Sequence, residues 1–291
     1  MYFVTQLLNG LGIGAIYALV ALGYNMVYGI VKLINFAHGD IIMVGCFVIV
    51  SVLGWGMPAW FAAICAVVFC ALVGMLIERV AYQRLLDQGS PRISLLITAI
   101  GVSLLLQNLY QLIYGSSERT ISRLFPLPDI IIGGVQVSNT LLNIVVSLAM
   151  MLVLRMLVDR TKIGKAMRAT SEDPGAAMLM GINTKSVILF TFAAGSALAA
   201  VGSVLYANTY MFARPYMGSM LGLKAFIAAV FGGIGSIPGA MLGGYILGVA
   251  EGLNNAYGNS ILTDAVVFGL LIVILLLKPA GLLGRHEKEK V

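Results

Sequence analysis

The chain has 291 residues, of which 60% are hydrophobic and only 10% charged, with a formal net charge of +6 and a mean hydropathy of +0.98. So few charges cannot keep the surface of a water-soluble domain of this size wet, and the basic surplus tracks membrane sidedness rather than a nucleic-acid footprint. The three cysteines, Cys46, Cys65 and Cys70, lie in apolar runs without metal-ligand spacing and read as small buried hydrophobes.

Charge-free runs cover 1–31, 41–77, 93–117, 130–154, 186–213 and 225–250, each longer than the ~20 residues that cross a bilayer. The predicted fold class is all-α, a polytopic integral membrane helical bundle of about eight to nine spans forming one transmembrane domain over 1–291. No basic n-region opens the chain and the first Lys is Lys32, so the first span is expected to act as its own insertion signal. Spans are predicted near 4–30, 33–53, 58–78, 93–114, 138–158 and 186–208, with a last one near 261–277. Gly54 to Pro58 breaks the second run, with Trp55 and Trp60 beside it as interface anchors.

Lys and Arg cluster in 79–92 (Arg79, Arg84, Arg92), in 155–185 (Arg155, Arg160, Lys162, Lys165, Arg168, Lys185) and in the tail (Lys278, Arg285, Lys288, Lys290). The positive-inside rule places all three in the cytoplasm. Parity then demands an even number of crossings between the second and third clusters, which makes the C-terminus cytoplasmic and the N-terminus external. The Gly-rich region 217–256 must cross twice or re-enter. Its Gly232, Gly233, Gly235 and Pro238 do not suit one straight helix. Two readings stand: close helix packing through Gly239-xxx-Gly243 and Gly244-xxx-Gly248, or a helix break lining a pathway. A faint echo joins GIGAIYALVALGY at 12–24 to AGSALAAVGSVLY at 194–206, either a transporter repeat or a likeness of small-residue composition.

Polar residues inside apolar runs are the candidate site residues. Asn35, His38 and Asp40 interrupt the first two spans, at what parity makes the cytoplasmic interface; they either fix the turn and cap a helix or gate a pathway. Asn25, Gln107 and Asn108 bond between helices or line the pathway. Lys224 and Glu251 flank the Gly-rich region near the outer face, to pair with each other or meet an external partner. His286 is the only other histidine, and no motif of a nucleophile, zinc site or paired cysteines occurs.

The segment 159–185 reads as a cytoplasmic loop with a short helix inside it. Glu172, Asp173 and Pro174 resemble a helix start. Ala176, Ala177, Met178, Leu179 and Met180 make about two turns, and Gly181 and Asn183 end them. A helix so apolar outside the bilayer either inserts into a partner's groove or lies on the membrane surface.

Glu172, Ala176, Ala177 and Gly181 give E-x3-A-A-x3-G, which resembles the coupling loop of ABC importer permeases. The blocks YALVALGYNMVYGIVKLINFAHGD at 17–40 and KAFIAAVFGGIGSIPGAMLGGYILGVAE at 224–251 are similar to branched-chain amino acid permeases of the LivH type. So are IERVAY at 77–82 and KPAGLLGR at 278–285. The resemblance runs over essentially the whole chain. It implies an ABC uptake permease for leucine, isoleucine and valine. The partners it implies are a LivM-like second permease, two ABC ATPase subunits, an extracytoplasmic substrate-binding protein and membrane lipid, with no nucleic acid. Glu172, Asp173, Pro174, Ala176, Ala177 and Gly181 would couple to the ATPase. No cofactor is expected in this chain: it has no G-x-x-x-x-G-K-[ST], Gly164-Lys165-Ala166 being the nearest fragment, so ATP and Mg would sit on the partner ATPases. Urea or short amides are the alternative substrates within the family. A secondary transporter or channel is the alternative class, but it would have no use for an exposed apolar helix at 172–181.

Overall fold

The computed structural model describes residues 2–126, 128, 131–132 and 135–284, so Arg285, His286, Lys288 and Lys290 lie outside the described residues. The apolar runs form helices because in lipid the backbone must satisfy its own hydrogen bonds. In chain order these are α1 (Tyr2–Val31), α2 (Ala37–Gly54), α3 (Ala59–Ile77), α4 (Gln83–Asp87), α5 (Arg92–Tyr114), α6 (Ser138–Arg160), α7 (Lys162–Glu172), α8 (Pro174–Leu179), α9 (Thr184–Tyr210), α10 (Met217–Gly232), α11 (Ile237–Tyr257) and α12 (Thr263–Leu277). A π-helical turn, Glu78–Tyr82, fuses α3 to α4. A 3-10 turn, Ser260–Leu262, precedes α12, and two small antiparallel ribbons complete the described secondary structure: Arg119–Thr120 with Phe212–Ala213, and Ile131–Ile132 with Val135–Gln136.

Among the described residues, seven segments are long and apolar enough to cross a membrane: α1, α2, α3 with its extension to Asp87, α5, α6, α9 and Ser260–Leu277. The all-α membrane bundle is as expected, with slightly fewer such helices than the predicted eight to nine. The difference lies in the Gly-rich region. There α10 has 16 residues, and the 21-residue α11 is diluted by glycines, Glu251, Asn254 and Asn255.

The two ends of the bundle differ in charge. One end gathers the turn after α1, the α3–α5 connection, α7, α8 and the segment after α12. Lys185 meets Asp87 at 2.6 Å there, and the Leu283 N–H donates to the Gly232 carbonyl at 2.9 Å. The described parts of all three basic clusters lie at this end. The other end carries the start of α1, where Tyr2 meets Tyr257 edge-on at 5.5 Å, and the ribbon joining 119–120 to 212–213.

Close packing and a helix break both occur in the Gly-rich region. A Cβ on Gly243 would stand 2.1 Å from the Ala228 carbonyl oxygen of α10, and one on Gly248 2.2 Å from the Gly14 Cα of α1. Thus one small-residue row of α11 packs on α10 and the neighbouring row on antiparallel α1. The break between α10 and α11 is real as well: Gly233 and Gly235 adopt φ +108° and +88°, Ser236 caps α11 and Pro238 lies in its first turn.

The sequence echo falls on α1 and α9, which pack against each other. Each is followed by a short connection and then by a helix that starts inside the bundle, α2 or α10. The packing corresponds pair by pair: α2 lies on α9, α3 and α5, while α10 lies on α1, α11 and α12. Helices α1–α5 and α9–α12 are therefore two halves of like architecture, running in opposite directions.

Candidate functional site

The starts of α2 and α10 meet inside the bundle. A Cβ on Gly39 would stand 2.4 Å from the Gly222 Cα, and one on Gly218 2.6 Å from the Asp40 Cα. The two helices thus touch backbone to backbone. Asp40, in the first turn of α2, is 0% exposed. Its carboxylate accepts from Ser103 Oγ at 2.5 Å and from Gln107 Nε2 at 3.0 Å. Both donors lie one turn apart near the middle of α5, and Gln107 also donates to Ser103 at 3.0 Å. No Lys or Arg pairs with Asp40 among the described residues; the positive ends of two helices face it instead.

This corrects the expected interfacial position of the Asn35–Asp40 turn. Asn35, His38 and Asp40 are all buried, because the connection after α1 folds back into the bundle before α2 begins. The expected side-chain cap is also absent: α2 starts after Phe36 with no side-chain cap. Asn35 instead accepts from the buried Tyr82 hydroxyl at 2.9 Å, a residue aimed by the π-turn. His38 packs edge-on against Tyr24 at 4.6 Å and over Gly23.

Asn25, on α1, accepts from the Gly235 N–H at 2.5 Å, so it holds the α10–α11 break. A Cβ on Gly232 would meet the Gly239 carbonyl oxygen at 1.9 Å, which ties both sides of the break together. Asn108 is exposed on α5; it donates to Leu104 O at 2.7 Å and accepts from Tyr216 OH at 3.2 Å. The same hydroxyl donates to Gln111 Oε1. Gln107 and Asn108, adjacent in sequence, therefore face opposite environments.

Lys224 and Glu251 do pair, at 3.0 Å, but not as snorkelling charges. Their side chains are 11% and 12% exposed, and Lys224 also reaches Asp264 of α12 at 3.0 Å. The second oxygen of Glu251 accepts from Tyr17 of α1 at 2.8 Å.

At the basic end, Asp173 caps α8: its Oδ1 accepts from the N–H groups of Gly175 and Ala176 at 2.8 and 3.0 Å. Pro174 follows in the first turn. Glu172 is not part of this start, since it ends α7. Gly181, at φ +82°, closes α8: its N–H reaches Met178 O and the Ile182 N–H reaches Ala177 O, each at 3.0 Å. Asn183 does not end α8 but caps α9. Only Ala177 of this helix is buried; Ala176 is exposed, and Met178, Leu179 and Met180 are 58%, 89% and 83% exposed.

Sequence reasoning passed over Ser103, Tyr82, Tyr24 and Tyr216. For Ser103 the signal was its i, i+4 spacing to Gln107, which puts both on one helix face. Among the described residues no group of three His, Cys, Asp or Glu side chains is arranged to hold a metal ion.

Residues 6–276 match the family model described as branched-chain amino acid transport system, permease component. The high-affinity branched-chain amino acid transport system permease protein LivH of Salmonella typhimurium is 44% identical over 305 residues, covering 100% of this chain and 98% of that one. The corresponding permease protein BraD of Pseudomonas aeruginosa is 43% identical over 306 residues, with the same coverage. A probable LivH of Methanocaldococcus jannaschii is 30% identical, covering 93% of this chain and 89% of that relative. With the model matched along nearly its whole length and the bundle built from apolar helices, the chain belongs to the family of branched-chain amino acid transport permease components.

Proposed function

We propose that the chain is the transmembrane permease subunit of an ATP-driven ABC importer, passing leucine, isoleucine and valine that an external binding protein delivers. Its partners are a second, LivM-like permease and two cytoplasmic ATPase subunits, which carry the ATP and Mg. The basic end of the bundle faces the cytoplasm by the positive-inside rule, with the C-terminus on that side and the N-terminus outside.

The observation that carries this reading is α8. A capped helix at the basic end presents Met178, Leu179 and Met180 at 58%, 89% and 83% exposure. Exposed neighbouring apolar side chains on a rigid support are what a partner's groove takes up. ATP-driven closure of the ATPases would displace α8 and, through α7 and α9 on which it rests, tilt the bundle helices. Asn25, Asn35, His38, Asp40, Gln107, Asn108, Gly232, Gly233, Gly235 and Pro238 form the moving joints or the pathway wall.

The test is Leu179→Asp beside Gly181→Leu, the second forcing a branched side chain into φ +82°. Both variants are expected to insert into the membrane normally, to lose at least about tenfold in ATPase co-purification, and to lose uptake of labelled leucine. Undiminished ATPase association in both would overturn the coupling role of α8. Normal association in the wild type, with binding-protein-dependent uptake of urea but not leucine, would overturn the substrate.

A further inference from the structure

A hollow of about 760 Å³ opens at the basic end of the bundle. Its walls are the end of α1, the α6–α7 turn, the α10–α11 break and the segment after α12; none of its lining residues belongs to α2, α3 or α5. None of its lining residues belongs to α8, and Asn108 is not among them. Helices α1, α6 and α12 stop beside it, at Val31, Arg160 and Leu277, so it sits in the layer where lipid headgroups lie.

The lining is amphipathic. Among the described residues, Lys32, Arg155 and Arg168 stand on it with the carboxylate of Asp159, three cations to one anion. Asp159 is shared: Arg155 and Arg168 each approach it at 3.5 Å, and the side chains stay 62% and 45% exposed. Arg168 also donates to the Val158 carbonyl, which holds its guanidinium in place. Facing them are apolar side chains, Ile234 and Leu283 among them.

We infer that this hollow binds the phosphodiester headgroup of an anionic phospholipid. Two guanidinium groups sharing one carboxylate keep donors free for phosphate oxygens, which Arg receives in a fork. Basic hollows between membrane helices attract anionic headgroups by the same charge. The apolar wall favours a lipid over free phosphate, since it receives the glycerol and first acyl carbons. A lipid seated here touches the α10–α11 break, which Asn25 also holds, so occupancy stiffens that break.

The test is native mass spectrometry of the purified full chain, offered phosphatidylglycerol or phosphatidylcholine of matched acyl chains, with inorganic phosphate as a separate probe. The wild type is expected to retain phosphatidylglycerol at least about tenfold better. Arg155→Gln/Arg168→Gln is expected to lose that preference, and Arg155→Lys/Arg168→Lys to keep most of it. Arg155→Gln alone, which disturbs no backbone hydrogen bond, should cut the preference by about threefold and serves if the double variant does not fold. Equal retention of the two lipids, or an unchanged preference in the folded Gln variants, overturns the inference. So does phosphate binding as tightly as the lipid, which would make the hollow a free-anion site. Loss of the co-purifying ATPase with lipid preference intact would make it a protein contact and overturn the inference as well.

Discussion

Asp40 on α2 and Lys224 on α10 lie on corresponding helices of the two halves of the molecule. Each sits on the helix that starts inside the bundle, and each reaches to the outermost helix of its half, α5 or α12. They are stabilised by opposite means. Lys224 has two carboxylates at 3.0 Å, so its charge is neutralised by ions. Asp40 has no ion partner among the described residues and rests on Ser103, Gln107 and the positive ends of two helices. The comparison sets two ways of burying an ionisable group side by side, and the two fail differently. Removing Lys224 strands an anion, whereas neutralising Asp40 strands nothing charged.

The largest effect should therefore come from Lys224→Met. It leaves the half-buried Glu251 without a cation and with only the Tyr17 hydroxyl, at a cost of about 3 kcal/mol, seen as a large fall in thermal midpoint in detergent. Adding Glu251→Gln should recover most of the loss; no recovery would mean that the pair acts through something other than charge. Asp40→Asn should cost less, about 1–2 kcal/mol, because Ser103 and Gln107 keep a polar partner. A loss as large as that of Lys224→Met would show that the helix dipoles do not substitute for an ion. Asn25→Ala removes the acceptor for the Gly235 N–H and should cost about 1 kcal/mol, with faster hydrogen exchange confined to the α10–α11 break. The smallest effect belongs to the exposed pair: Lys185→Ala should shift stability by less than about 0.5 kcal/mol despite a 2.6 Å contact with Asp87.

Much of this was readable in the chain. The charge-free runs mark the spans because length and hydropathy are what lipid demands. The Asp173-Pro174 start, the Gly181 stop and the Lys224–Glu251 pairing rest on local rules or on a scarcity of other partners. The depth of Asp40 was not readable. Counting crossings assumes that each turn between spans lies at a surface, and the turn after Val31 instead folds inward. Nothing near Asp40 announces this, since the cause is distant: Gly218 and Gly222 leave room for the start of α2, and Ser103 and Gln107 wait on α5. Glu172 was misassigned to α8 for a milder reason, because two adjacent acids before a proline offer two candidate caps and only geometry chooses between them.

The contact between Gly39 and Gly222 has one more consequence. Two helices that cross through side chains interlock like cogs, and tilting them means lifting every tooth from its notch. At this crossing there are no teeth: bare backbone bears on bare backbone, so a small change of angle asks for no change of rotamer. The place where the two halves meet is thus smooth, with Asp40 standing at the crossing itself and Lys224 farther along α10.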